Sequence, residues 1–182
     1  HNAYTNYELI QQGIDKMGYR REFKDGYEGH YVFAEDGSEN TLPQGTVANE
    51  VHFDNFNHNH PYFIYDPETK KYSRYQFGAA QIDDLTGEQL VCDNILVQYS
   101  DVTTYEGTSY KKIDTITDGN GNSGGKGKYI TRGRAIDIIW QKDSPWGVTH
   151  YITMDNQEVK LNPGVTWVEI VQDDKLDAIT YQ

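Results

Sequence analysis

Apolar residues recur at helical spacing near the start of the chain. In TNYELIQQGIDKMGYR, Leu9, Ile10, Ile14 and Met17 fall on one face of a helix, which the pattern predicts over about residues 6–17. Thr5 and Glu8 stand at capping-box spacing, and Gly18 supplies a C-terminal cap. From there the pattern changes to short β-rich runs separated by turn residues. YFIYDPETKKYSRYQF reads as a hairpin around Asp66-Pro67-Glu68-Thr69. Its alternation sets Tyr72, Arg74 and Gln76 on one face and Ser73, Tyr75 and Phe77 on the other. NILVQY is a strand, and KYITRGRAIDIIW a strand pair turning at Gly133. THYITMDNQEVKLNPGVTWVEIV reads as a meander with turns at Asp155-Asn156 and Pro163-Gly164, the latter a type II sequence.

Strand signals at this spacing favour antiparallel sheet over βαβ units. The predicted fold class is α+β, predominantly antiparallel β-sheet with one N-terminal helix. Residues 1–46 form a helical start and connecting loop, and residues 47–182 a β-rich C-terminal domain. The loop EDGSENTLPQGT, residues 35–46, lies at the division.

Composition narrows the function classes. Hydrophobic residues make up 36% of the 182, but aromatic residues reach 13%, with fifteen Tyr, enough for a folded core. The net charge of −12 opposes binding to phosphate backbones, so nucleic acid is disfavoured as a main partner and none is expected. It equally opposes adsorption to anionic lipid through a basic patch. The single cysteine, Cys92, permits no internal disulfide and reads as a small buried hydrophobe. No apolar run is long enough to span a membrane. The chain begins at His1 and reads as a processed or excised piece.

Candidate chemistry concentrates in HFDNFNHNHPYFIYD, residues 52–66, which holds three of the six histidines. In an extended strand His52, Asp54, His58 and His60 share parity and carry Zn²⁺-competent donors. Asn57, Asn59 and Pro61 instead suggest a turn that breaks the parity, so a polar loop is the preferred reading and a metal module the alternative. DGNGNSGGKGK, residues 118–128, imitates a calcium loop but has Ser123 and Tyr129 where Gly and Glu belong. It also fails as a phosphate loop, because Asn120 replaces the first Gly and Gly127 follows Lys126. No cofactor is expected. No G-x-S-x-G occurs, and spacing alone identifies no carboxylate pair, although a cell-wall hydrolase stands as an alternative function. Trp140, Trp146 and Trp167 read as core or edge packing.

HNAYT, YDPETKKYSRY, IDDLTGEQL with DNILVQY, KGKYITRGRAIDIIWQK and NPGVTWVEIV occur in that order. Together they resemble the YerB-like family of bacterial envelope lipoproteins, whose domains carry an unknown-function label. The resemblance covers nearly the whole chain, with NPG-x-TW and the YD…Y-x-R hairpin its most specific parts. It implies the second half of a longer protein, residues 1–46 being the tail of a first domain. It further implies an extracytoplasmic location on the outer face of the bacterial cell membrane, through a lipid anchor outside this chain. No reaction comes with it. The expected function is non-catalytic binding of an envelope protein or cell-wall component, with Tyr72, Arg74, Asp83 and Lys142 as candidate ligand contacts. An exposed patch around Tyr72 and Arg74 would support this, and burial of those side chains would weaken it.

Overall fold

The computed structural model describes residues 4–27, 29–116, 124–142, 144 and 147–182. One helix, α1 (Tyr7–Met17), precedes the strands. Its cap is Asn6 rather than Thr5: the Asn6 side chain accepts from the Leu9 amide at 2.9 Å. Gly18 closes the helix in the left-handed conformation at φ 65°, as the sequence indicates. None of the helix's residues is buried: Leu9, Ile10 and Met17 are exposed and Ile14 is half-buried.

The strands are β1 (Val32–Phe33), β2 (Thr46–Val47), β3 (Glu50–Phe53), β4 (Tyr62–Asp66), β5 (Lys71–Gln76), β6 (Ala79–Ala80), β7 (Val91–Cys92), β8 (Asn94–Ser100), β9 (Val102–Thr104), β10 (Lys111–Ile113), β11 (Gly125–Thr131), β12 (Arg134–Gln141), β13 (His150–Thr153), β14 (Lys160–Leu161), β15 (Thr166–Gln172) and β16 (Ile179–Tyr181). A first sheet runs β13-β12-β11-β8-β15, with β2 also pairing β12. A second runs β16-β3-β4-β5-β6, with β7 also on β5. The architecture is mostly antiparallel β with an N-terminal helix. The segment after Thr149 is not a plain meander, however. β15 lies parallel to β8, and β14 pairs in parallel with β1. A 3₁₀ stretch, Asp173–Ala178, then carries the chain from the first sheet to the second.

The first sheet is covered on both faces, which is why every residue of β8 is buried. Ile95, Val97 and Tyr99 pack with Val51, Phe53, Phe63 and Tyr72 of the second sheet. Leu96 lies on the opposite face with Tyr129, Trp140 and Leu161, and Leu42 closes that layer. At the β11–β12 turn, Arg132 and Gly133 both have positive φ (50° and 72°), the type I′ geometry that tight hairpins favour.

Candidate functional site

The histidine-rich stretch resolves into a ring ladder. β3 ends at Phe53, so the parity linking His52 to the later residues is lost. On the outward face of the second sheet, His52 stacks on Tyr62 at 5.1 Å and Tyr62 on Tyr75 at 4.8 Å. These three sit opposite one another in register, so strand spacing alone brings the rings together. His52 Nε2 lies 3.2 Å from Glu50 Oε2. Asp54 instead faces Thr180, whose hydroxyl donates to Asp54 Oδ2 at 3.4 Å. His58 meets the Phe77 ring edge-on at 5.3 Å, and His60 occupies a left-handed turn position at φ 43°. Each of the four has its own local role. Among the described residues, no group of three or more His, Cys, Asp or Glu side chains is placed to hold a metal. The calcium- and phosphate-like stretch 118–123 and Trp146 lie outside the described residues.

Tyr72 and Arg74 share one face, as alternation indicates, but that face points inward and is not the expected exposed patch. Tyr72 is fully buried; its hydroxyl donates to the Ala48 carbonyl and accepts from the Gly133 amide, both at 3.0 Å. Arg74 lies between the sheets, with its guanidinium 4.3 Å from the Trp167 ring centroid. It reaches Glu169 at 3.6 Å and donates to Gln81 Oε1. Burial pushes the Glu169 carboxyl above the ordinary range, and the Arg74 charge only partly offsets this. Asp83 caps a turn, accepting from the Leu85 and Thr86 amides at 3.0 and 2.8 Å. The Thr86 bonds hold its carboxyl below the usual range. Lys142 follows β12; with burial as the larger cause, its charge helps lower the His30 imidazole's pKa. The four expected ligand contacts therefore do not form one exposed patch, Tyr72 and Arg74 being buried together on β5. Tyr72 is committed to packing and Asp83 to a turn.

The motif residues Asn94 and Asn162 belong to a buried polar network. Asn94 Nδ2 donates to the Asn162 carbonyl at 2.8 Å, and Asn94 Oδ1 accepts from the Tyr129 hydroxyl at 2.9 Å. Asn162 donates through Nδ2 to the Asn40 carbonyl and to Thr131 Oγ1, each at 2.9 Å. Thr131 in turn donates to the Asp93 carbonyl at 2.8 Å. This network fixes the ends of β8, β11 and β15 together.

A concave surface lies elsewhere. Alternation sets Lys128 of β11 and Asp137 of β12 on the face shared with Ile130 and Ala135, alongside Tyr181 of the second sheet's edge strand. Two adjoining hollows open here, of about 400 and about 420 Å³, within the range of ligand sites. Both are bounded by Lys128, Asp137 and Met154. One is otherwise lined by polar groups such as Gln44, Thr46, Thr153 and Asp155, together with the Tyr181 ring. The other offers Tyr99, Ile139 and Leu176, with Lys126 and Asp177 also on its wall. Lys128 Nζ and Asp137 Oδ1 form an ion pair of 2.6 Å at the junction, with the Asp137 side chain 69% exposed. The Lys128 ammonium also lies 5.9 Å from the Tyr181 ring centroid. Sequence reasoning missed this trough, although one signal was present. Counting outward from the Arg132-Gly133 turn pairs Lys128 with Asp137, the single charge inside AIDIIW.

Comparison with known proteins places these features in a family. The pattern described as "Protein of unknown function (DUF3048) C-terminal domain" matches residues 50–168. The chain is 25% identical over 190 residues to "Putative lipoprotein YerB" of Bacillus subtilis (strain 168), covering 98% of this chain and 49% of that protein. It thus spans about half the length of the curated relative. The crystal structure of YerB protein from Bacillus subtilis superposes with a TM-score of 0.76 at 23% identity, over 100% of this chain and 55% of that one.

Proposed function

The chain belongs to the family described as protein of unknown function (DUF3048) C-terminal domain, and on that premise we propose that it is a non-catalytic binding domain at the bacterial cell envelope. In this reading it is part of a longer lipoprotein on the outer face of the membrane, anchored by a lipid outside this chain. The lipoprotein description of the Bacillus subtilis relative supports the location. The partner is an envelope protein or a cell-wall component. The trough around Lys128 and Asp137 carries the proposal: it combines concavity, apolar lining and an accessible charge pair. Thiol chemistry at Cys92 is disfavoured, because burial pushes its thiol up to about 12, away from the range of a nucleophile.

The test is co-sedimentation of the purified domain with cell-wall sacculi and, separately, with envelope membrane vesicles. Retention by one fraction, reduced by Asp137→Lys, is the expected result. Retention by neither fraction would overturn the reading. Release of soluble wall fragments would replace it with the hydrolase alternative.

A further inference from the structure

We infer that the trough accepts an extended peptide segment carrying a basic side chain beside an aliphatic one. This rests on the binding reading above and adds the ligand's chemistry. Three features of different kind point the same way.

The first is an opening in a strand edge. β12 pairs with β11 along one side. On its other side β2 pairs with Arg134 and Ala135, and β13 with Ile138 to Gln141. Ile136 and Asp137 have no strand partner there among the described residues. The polar hollow lies at this interruption, walled by Thr46 at the end of β2 and Thr153 at the end of β13. A short length of extended main chain is the natural complement to a two-residue opening in a strand edge, as in other peptide-binding sheets.

The second feature is charge. Three carboxylates, Asp137, Asp155 and Asp177, line the two hollows against two ammonium groups, Lys126 and Lys128. The Lys128–Asp137 pair compensates both its charges, which leaves Asp155 and Asp177 facing Lys126 alone. The chain as a whole carries −12, so its long-range field also favours a basic ligand. Beside Asp137, the Tyr181 ring of the polar hollow already has the Lys128 ammonium 5.9 Å from its centroid, so a ligand's cation would share this face with Lys128.

The third feature is the lining of the other hollow. Ile139, Leu176 and Met154 give it an aliphatic wall, with Tyr99 beside them. Such a wall matches a branched aliphatic side chain better than the flat face of a sugar. The adaptable thioether of Met154, 69% exposed, borders both hollows.

The experiment is an NMR titration of the isotope-labelled domain with two capped pentapeptides, acetyl-Gly-Lys-Leu-Lys-Gly-amide and acetyl-Gly-Glu-Leu-Glu-Gly-amide. The basic peptide is expected to give saturable shifts at the Thr46, Lys128, Asp137 and Thr153 amides. The acidic peptide is expected to bind at least about ten-fold more weakly. The double substitution Asp137→Asn, Asp155→Asn should lower affinity for the basic peptide by a similar factor while the amide spectrum stays that of the folded domain. Replacing the central Leu by Gly should weaken binding too. Equal binding of both peptides, or no saturable shift at those four amides, would overturn the inference. Retention on an envelope fraction with no peptide binding would leave the binding reading standing and remove only the peptide assignment.

Discussion

The Asn94 carboxamide holds two segments 68 residues apart, donating to the Asn162 carbonyl at 2.8 Å and accepting from the Asn162 amide at 3.1 Å. This reciprocal pair seats the Asn162-Pro163-Gly164 turn on the start of β8, and the adjoining Asp93 carboxylate accepts from the Val165 amide at 3.0 Å. Asn94→Leu would remove the donor to the buried Asn162 carbonyl and leave the Asn162 amide and the Tyr129 hydroxyl with only their longer contacts, each at 3.4 Å. A stability loss of about 3 kcal/mol is expected by urea denaturation, the scale of buried polar groups left without partners. A loss below the resolution of that measurement would show that the network is dispensable.

Arg74 and Glu169 behave differently, because their pairing is bought at the expense of solvation. Removing only the cation, as in Arg74→Met, leaves a buried carboxylate and should cost about 3–5 kcal/mol. The double change Arg74→Met, Glu169→Leu should recover most of that loss. Thermal denaturation of the two singles and the double forms the cycle.

The same carboxyl makes stability depend on pH. Its folded-state pKa lies above its unfolded value, so folding favours the protonated form. The stabilising contribution is complete below the ordinary carboxylate pKa and is lost as pH rises through the raised folded value. Glu169→Gln should therefore gain stability relative to the parent chain as pH increases across that window. A difference in melting temperature that stays constant with pH would contradict this.

Cys92 is 1% exposed, with its thiol pushed up to about 12. In the native protein it should resist alkylation by iodoacetamide at neutral pH, and it should react promptly in denaturant. Prompt native-state labelling would mean that β7 opens readily.

The His52–Tyr62–Tyr75 stack should register as packing rather than metal binding. Tyr62→Ala removes the middle ring and is expected to cost at least about 1 kcal/mol, from ring contacts beyond simple area burial. His58→Ala, Zn²⁺ and chelator should leave melting unchanged. Zn²⁺-dependent stabilisation abolished by His58→Ala would restore a metal role.

Several elements were legible because a single segment encodes them. β4 and β5 follow from alternation around Asp66-Pro67-Glu68-Thr69, and the Asp66 carboxylate accepts from the Glu68 amide at 2.9 Å in that turn. That Tyr72 and Arg74 share a face was equally readable, but the inward direction of that face depended on a second sheet whose position no local pattern gives. β15 has the composition of an antiparallel strand, and its parallel pairing with β8 depends on the path through the Asn94–Asn162 network. The trough was the least legible feature, because Thr46, Lys128, Asp137, Met154 and Tyr181 come from five separate segments. Only the Lys128–Asp137 register could be counted from a turn.

The most direct test is lysine acylation footprinting of the domain, free and bound to the envelope fraction that retains it. Lys126 and Lys128 line the trough, whereas Lys70 and Lys71 lie at the β4–β5 turn of the second sheet. Slowed acylation of Lys126 and Lys128, with Lys70 and Lys71 unchanged, is the expected result. Unchanged labelling of both trough lysines in the bound state, with protection at Lys70 and Lys71, would contradict the assignment of this site.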